Sequence, residues 1–420
     1  MPDHISMRHA LLAFTFAAFW LPFLQAQTSV PALRIGEIVH VELRAKLQGD
    51  FRRFEPVLAG AESNQLTRAR LGLKGRVLNH FDYEVEREFR GTFGATRLRS
   101  PWTDVYVEVR DYFPLRIKAG KFKLPFGMEE NTSSANLDFV YRTRASDFLT
   151  PGRDKGMLAR GQILRKWRLS YEGGIFKNDG ENAHEKDDPT KTGGATFAAH
   201  VNGQPLRGTR LPVRRLELGA AVTSSSVPEG RSPAKNSLRG HTAADQAFFH
   251  RMFVQGRRLR LGVEMNWTGG PFSVKSELIR VSEQRKATGV EMQDLPDFIS
   301  KGWYLTGTWL ITGEEKSEDL NPKRVFLTGR GLGALELAIR YEGLQFGSAS
   351  HPGIASRSAR APNIMENSDR ALTLGATWYL NRFAKIQVNN IREVLADPQT
   401  APIPGRLRYS TTVLRLQFHL

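Results

Sequence analysis

Cysteine is absent from all 420 residues, which excludes a disulfide framework and any thiolate metal site. Long apolar runs are missing too. Past Leu24 nothing approaches the ~20 residues a membrane-spanning helix needs, and the mean hydropathy is −0.38. If the chain sits in a membrane it does so as a barrel, because only helices and closed sheets satisfy every backbone hydrogen bond in lipid. The ten histidines are scattered, and neither His184-Glu185 nor His241 has a second ligand at metal-binding spacing. No serine or other nucleophile stands in a recognisable catalytic setting. The chain is therefore not read as an enzyme, and neither metal nor cofactor is expected. Acid is short relative to base, 43 residues against 60, leaving a net charge of +17 that asks for an anionic partner. Nucleic acid is not that partner: the basic residues recur at every second position, interleaved with acidic segments, instead of forming a stripe with stacking aromatics.

What is present is alternation. In one segment Arg68, Arg70, Lys74 and Arg76 share a parity while Ala69, Leu71, Leu73 and Val77 share the other; in the next, Asp82, Glu84, Glu86 and Glu88 oppose Phe81, Tyr83, Val85 and Phe89. Period two means strand. With only Leu78-Asn79-His80 between them, the segments pair as a tight hairpin, placing a basic row beside an acidic row on one face. A fully charged face backed by a fully apolar one suits a membrane barrel with an aqueous lumen and a lipid-facing wall.

The same grammar predicts sixteen strands: Ile35 to Gln48, Thr67 to Val77, Phe81 to Phe89, Asp104 to Asp111, Leu115 to Lys123, Met157 to Leu164, Trp167 to Phe176, Ala195 to Gly203, Arg214 to Thr223, Arg258 to Thr268, Phe272 to Ser282, Lys301 to Thr312, Ala334 to Phe346, Arg370 to Leu380, Phe383 to Arg392 and Leu407 to Leu420. Asp245 to Gln255 is left out, because its pattern is irregular and single-chain bacterial barrels use even strand numbers. Connections then alternate between short periplasmic turns and long outer loops along most of the chain. Gly313 to Gly333 is the exception, a long segment on the periplasmic side. Parity places Arg116, Lys118, Arg258 and Arg260 in the lumen with the four bases of the first hairpin. Trp267, Trp303, Trp309, Trp378 and Tyr379 are candidates for interfacial aromatic girdles.

The N-terminus reads as a secretory signal peptide, residues 1–26: Arg8 and His9 precede an apolar run from Ala10 to Leu24, interrupted by Pro22, and Gln25-Ala26-Gln27 offers a cleavage site. Residues 27–420 form the barrel domain.

Specific segments sharpen this reading. Gly120-Lys121-Phe122-Lys123-Leu124-Pro125-Phe126-Gly127-Met128-Glu129 followed by Thr132-Ser133-Ser134, Gly302-Trp303-Tyr304 leading to Leu310-Ile311-Thr312-Gly313-Glu314, Arg70-Leu71-Gly72-Leu73-Lys74-Gly75, Phe81-Asp82-Tyr83, Glu336-Leu337-Ala338-Ile339-Arg340-Tyr341 and Leu374-Gly375-Ala376-Thr377-Trp378-Tyr379-Leu380-Asn381 occur in order along nearly the whole mature chain. Together they resemble the phosphate-selective porin O and P family. The resemblance implies an all-β, sixteen-stranded, homotrimeric channel in bacterial outer-membrane lipid, passing small anions such as phosphate along a basic ladder to a constriction formed by an inward-folded third loop. Arg68, Arg70, Lys74, Arg76, Arg116, Lys118, Arg258 and Arg260 are the candidate pore-lining bases; Glu130, Thr132, Ser133 and Ser134 are the candidate constriction residues. Glu130 and Ala135 stand where the phosphate-selective branch carries lysines, so a general anion preference is expected more firmly than strict phosphate specificity. Lys121, Lys123, Arg142, Arg144, Arg153 and Lys155 are candidate replacements. A non-conducting structural or adhesive barrel is the alternative, with Ser224 to Arg257 the candidate occluding loop, and a barrel hydrolase a more distant one.

Overall fold

The computed structural model describes residues 32–36, 38–57, 63–90, 101–112, 115–182, 194–227, 237–326, 331–349, 358 and 361–420. The signal-peptide expectation falls outside them. Sixteen antiparallel strands close into one barrel: β1 (Val39–Glu55), β2 (Asn64–Val77), β3 (Phe81–Glu88), β4 (Trp102–Tyr112), β5 (Leu115–Lys123), β6 (Arg153–Leu164), β7 (Leu169–Phe176), β8 (Thr196–Gly203), β9 (Glu217–Val227), β10 (Gly256–Gly269), β11 (Phe272–Arg285), β12 (Leu295–Leu310), β13 (Ala334–Ser348), β14 (Asn367–Tyr379), β15 (Ala384–Leu395) and β16 (Arg408–His419). Each strand pairs with its sequence neighbours, and β16 returns to β1 with Ser410 opposite Glu55 and His419 opposite Lys46, so the sheet has no free edge. A short strand, Ala32–Ile35, extends the pairing at the start of β1.

Each predicted strand has its counterpart; at the short-turn end β1 starts at Val39 instead of Ile35 and β9 at Glu217 instead of Arg214, and the larger differences lie at the ends beside the long loops. β1 runs on to Glu55, β6 begins at Arg153, β11 continues to Arg285 and β12 begins at Leu295. Along β11 and β12 the inner face there is covered by apolar protein instead of water, so the polar half of the alternation fades while the hydrogen-bond ladder continues. Within 245–255 only Ala247–Phe249 is extended, and it pairs with Gly240–His241 in a separate two-stranded sheet. Residues 311–333 connect β12 to β13 at the short-turn end, as the register requires.

The first hairpin forms as its pattern demands. Leu78 and Asn79 take positive φ angles of 53° and 59°, matching the strand twist, and Arg70, Lys74 and Arg76 stand opposite Glu88, Glu84 and Asp82. Outward-facing Leu71, Leu73, Val107, Met157, Phe197, Leu261, Val263, Leu278, Leu305, Ile339 and Leu374 are exposed and supply the lipid-facing wall. Trp309 stacks on Phe272 with ring centroids 6.0 Å apart, and Trp378 packs edge-on against Phe326 at 4.9 Å; both lie at the short-turn end, as girdle residues should. Tyr379 turns inward instead, its hydroxyl donating to Glu336 at 2.7 Å.

The upper lumen is partly filled. Inward-facing Ile279, Val281, Phe298, Leu344, Phe346 and Leu395 meet Leu238, Phe248, Phe249 and Val254 from the β9–β10 connection. Phe249 stacks on Phe346 at 4.4 Å and on Phe298 at 5.5 Å, a contact set that excludes water from this sector.

Candidate functional site

The connection from Leu124 to Gly152 carries two short helices, α1 (Met128–Asn131) and α2 (Arg144–Leu149), and its bonds show that it lies inside the barrel. The backbone amides of Met128 and Glu129 donate to Glu277 of β11 at 2.6 and 3.0 Å. The Val140 amide donates to Asn389 of β15 at 2.7 Å, and Arg415 of β16 donates to the Val140 carbonyl at 2.7 Å. Asp138 accepts from Lys275 and Lys316, each at 2.8 Å. Buried Arg144 pairs with Glu342 at 2.8 Å, with Asp369 at 2.7 Å and with Glu393. Two glycines permit the path: Gly127 has φ +83° where a Cβ would meet Thr150 Cγ2 at 2.9 Å, and a Cβ on Gly302 would meet Ala145 Cβ of α2 at 2.7 Å.

Held against β11–β16, the loop leaves a cavity of about 340 Å³ on the opposite side, lined by Arg44, Lys46, Arg68, Arg70, Lys74, Lys118, Lys123, Arg142 and Arg153, by Glu84, Glu86 and Asp104, and by Ser133 and Ser134 among others. These cations are not equivalent. Arg70 is bonded to Glu86 at 2.9 Å and Glu88 at 2.8 Å, and Arg153 to Asp104 at 2.7 Å. Lys118 sits over the Tyr106 ring at 4.2 Å, a cation–π contact, with no carboxylate at ion-pair distance among the described residues. Lys46 reaches only the Ser133 hydroxyl, at 3.4 Å. Arg44, Arg68 and Lys74 line the cavity without an ion pair to any described residue. A cation held beside a cavity with no carboxylate against it projects its field into that space.

The third-loop residues divide the same way. Glu130 is buried and neutralises Arg142 at 3.3 Å and Lys123 at 3.7 Å. Its burial alone would raise its pKa, but Arg142 and Lys123 outweigh that and hold it below the ordinary carboxylate value. Thr132 turns its hydroxyl onto the Met128 carbonyl at 2.9 Å. Ser134 gives its carbonyl to Gln48 at 3.0 Å, while its buried hydroxyl has no partner.

The remaining candidates lie elsewhere. Arg76 pairs with Asp82 at 2.8 Å near the hairpin turn, and Arg116 lies 4.0 Å from Glu108. Arg258 and Arg260 face inward but are 2% and 0% exposed: Arg260 bonds Asp179 at 2.6 Å and the Leu149 carbonyl at 2.9 Å, and Arg258 bonds Asp179 and Glu283. Parity gave their face correctly, but the segments packed over the outer half of the lumen have covered them. Lys121 pairs with Glu181 at 3.3 Å and donates to the Trp102 carbonyl, and Lys155 is exposed outside the cavity lining. Arg44 and Lys46 also line the cavity, although they are not among the bases expected there from the sequence. They alternate with Leu43, Ala45 and Leu47, so the same parity argument would have found them.

A closed sixteen-stranded barrel with an apolar outer wall, a charged lumen and a loop folded across it is the architecture of an outer-membrane porin. The chain matches the model of the family described as "Phosphate-selective porin O and P" over residues 41–420, and it belongs to that family. It is 22% identical over 376 residues to Porin O of Pseudomonas aeruginosa, a match covering 84% of this chain and 82% of that one. Among solved structures it shares its fold with the outer membrane channel DcaP of Acinetobacter baumannii (TM-score 0.58, 10% identity, covering 93% of this chain and 100% of that one). OmpF of Salmonella typhi is similar as well (TM-score 0.56, 12% identity, covering 92% and 100%). The protein is thus placed in the bacterial outer membrane.

Proposed function

We propose that the protein is a passive, anion-preferring porin whose conduit runs past the β1–β2 wall. The observation that carries this reading is the set of cavity-lining cations without a carboxylate partner, Arg44, Arg68 and Lys74, together with Lys46 and Lys118. A narrow aqueous space so lined lowers the cost of anion entry and raises that of cations. Phosphate fits as a permeant, because guanidinium forks match oxyanions. Glu130 works against tight binding by occupying Arg142 and Lys123, so phosphate is proposed as one permeating anion among several. The reading includes a cleaved leader over residues 1–26 and a homotrimer, both measurable from the mass of the purified protein.

The test is a planar-bilayer reversal potential under a potassium chloride gradient, followed by titration of the chloride current with phosphate. Anion selectivity with partial block is expected; cation selectivity would overturn the reading. A second reading, a non-conducting structural barrel, is favoured by the apolar packing of 237–254 inside the mouth and predicts no current at all.

A further inference from the structure

At the short-turn end, two connections concentrate basic residues. The β6–β7 turn and the 204–216 segment joining β8 to β9 carry Arg165, Lys166, Arg168, Arg207, Arg210, Arg214 and Arg215, with no acid within either. The neighbouring tight turns, Leu78-Asn79-His80 and Gly270-Pro271, carry no lysine or arginine. The two basic segments form one unit: the Gln204 amide donates to the Trp167 carbonyl at 2.6 Å and Arg207 donates to the Arg165 carbonyl at 3.2 Å. Arg215 is taken by Glu315. The side chains of Lys166, Arg168, Arg210 and Arg214 are exposed and make no hydrogen bond or ion pair with the described residues.

The unit also touches the lipid side. Trp267, on the outward face of β10, donates its indole N–H to the Pro212 carbonyl at 3.3 Å. Trp167 (43% exposed), Leu211 (51%) and Val213 (40%) continue the outward apolar wall of Ile163 and Leu164 to the level of the cations. A solvated basic face has no need of that apolar continuation. A phospholipid needs both, phosphate against guanidinium and acyl chain against the wall.

We infer that this platform, independent of the conduit, is a binding site for anionic phospholipid headgroups of the periplasmic leaflet. The field of an acid-free patch with four unengaged cations favours a net-negative headgroup over a zwitterionic one.

The test is native mass spectrometry of the full mature barrel released from nanodiscs containing equal phosphatidylglycerol and phosphatidylethanolamine. Retention of phosphatidylglycerol by at least about tenfold over phosphatidylethanolamine is expected. Lys166→Gln with Arg168→Gln, Arg210→Gln and Arg214→Gln should abolish the preference, and Arg210→Gln with Arg214→Gln, confined to the 204–216 segment, should reduce it. Removing four exposed bases at the loop end (Arg53, Arg257, Arg406 and Arg408) should preserve it. Single-channel conductance serves as the folding control for all three. Inorganic phosphate at about 10 mM should leave the preference intact. Equal retention of both lipids by the wild type, equal loss in the loop-end variant, or displacement by free phosphate would each overturn the assignment. The first would leave a solvated or protein-binding face, and the last a site for phosphate alone.

Discussion

Arg415 and Asp50 face each other across the seam where the last strand meets the first, bonded at 2.6 and 2.7 Å through two guanidinium nitrogens. The third nitrogen holds the Val140 carbonyl of the inward loop. One side chain therefore contributes both to closing the barrel and to positioning the inward loop.

Arg415→Met is expected to destabilise the barrel by about 3–5 kcal/mol, because it leaves Asp50 buried and unpaired. Adding Asp50→Asn should recover much of that loss. Urea unfolding in lipid vesicles, followed by tryptophan fluorescence, measures both; equal stability of the wild type and the single variant would show that the pair does not hold the seam.

Neighbouring cations on β2 should behave in opposite ways. Arg68 lines the cavity without an ion-pair partner among the described residues, whereas Arg70 is bound by Glu86 and Glu88. Arg68→Gln should cut the anion-to-cation permeability ratio severalfold at unchanged stability. Arg70→Gln should cost about 3–5 kcal/mol of stability by orphaning two carboxylates. Reversal potentials and unfolding midpoints on the two variants separate the roles.

Glu130 sets a pH signature. With its pKa held below the ordinary 4.5, it stays charged above that pH, and its pairing with Arg142 and Lys123 is lost only as pH falls through the depressed value. The difference in anion selectivity between the wild type and Glu130→Gln should accordingly be constant from about pH 8 to pH 5 and shrink only in stronger acid. Glu130→Gln should be the more anion-selective of the two at pH 7. A shrinking of that difference near pH 6 would point to another group.

Gly302→Val should loosen the loop, since even the first added carbon lies 2.7 Å from Ala145. Larger and noisier single-channel currents are expected, with strand content by circular dichroism unchanged.

The strand plan was legible because water and lipid impose opposite demands on alternate residues, as in Arg68 to Val77 against Asp82 to Phe89. What sits inside the lumen was less so. Parity tells that Arg258 faces inward and cannot tell that Asp179 and Glu283 will meet it there. A trace of the filled sector did exist: Leu278-Ile279 and Phe298-Ile299 put apolar residues on both faces at once, as happens where neither side is water. The three roles of the third-loop residues Glu130, Thr132 and Ser134 depend on contacts with residues from distant strands or on local backbone turns, and no spacing rule reports those.

Asp138 accepts one lysine from the barrel wall and another, Lys316, from the 311–333 segment on the periplasmic side, while Lys316 also reaches Glu336. The inward loop is thus anchored from below as well as from above. Shortening that periplasmic segment would be felt where the loop lies in the lumen, much as removing a pier is felt at mid-span.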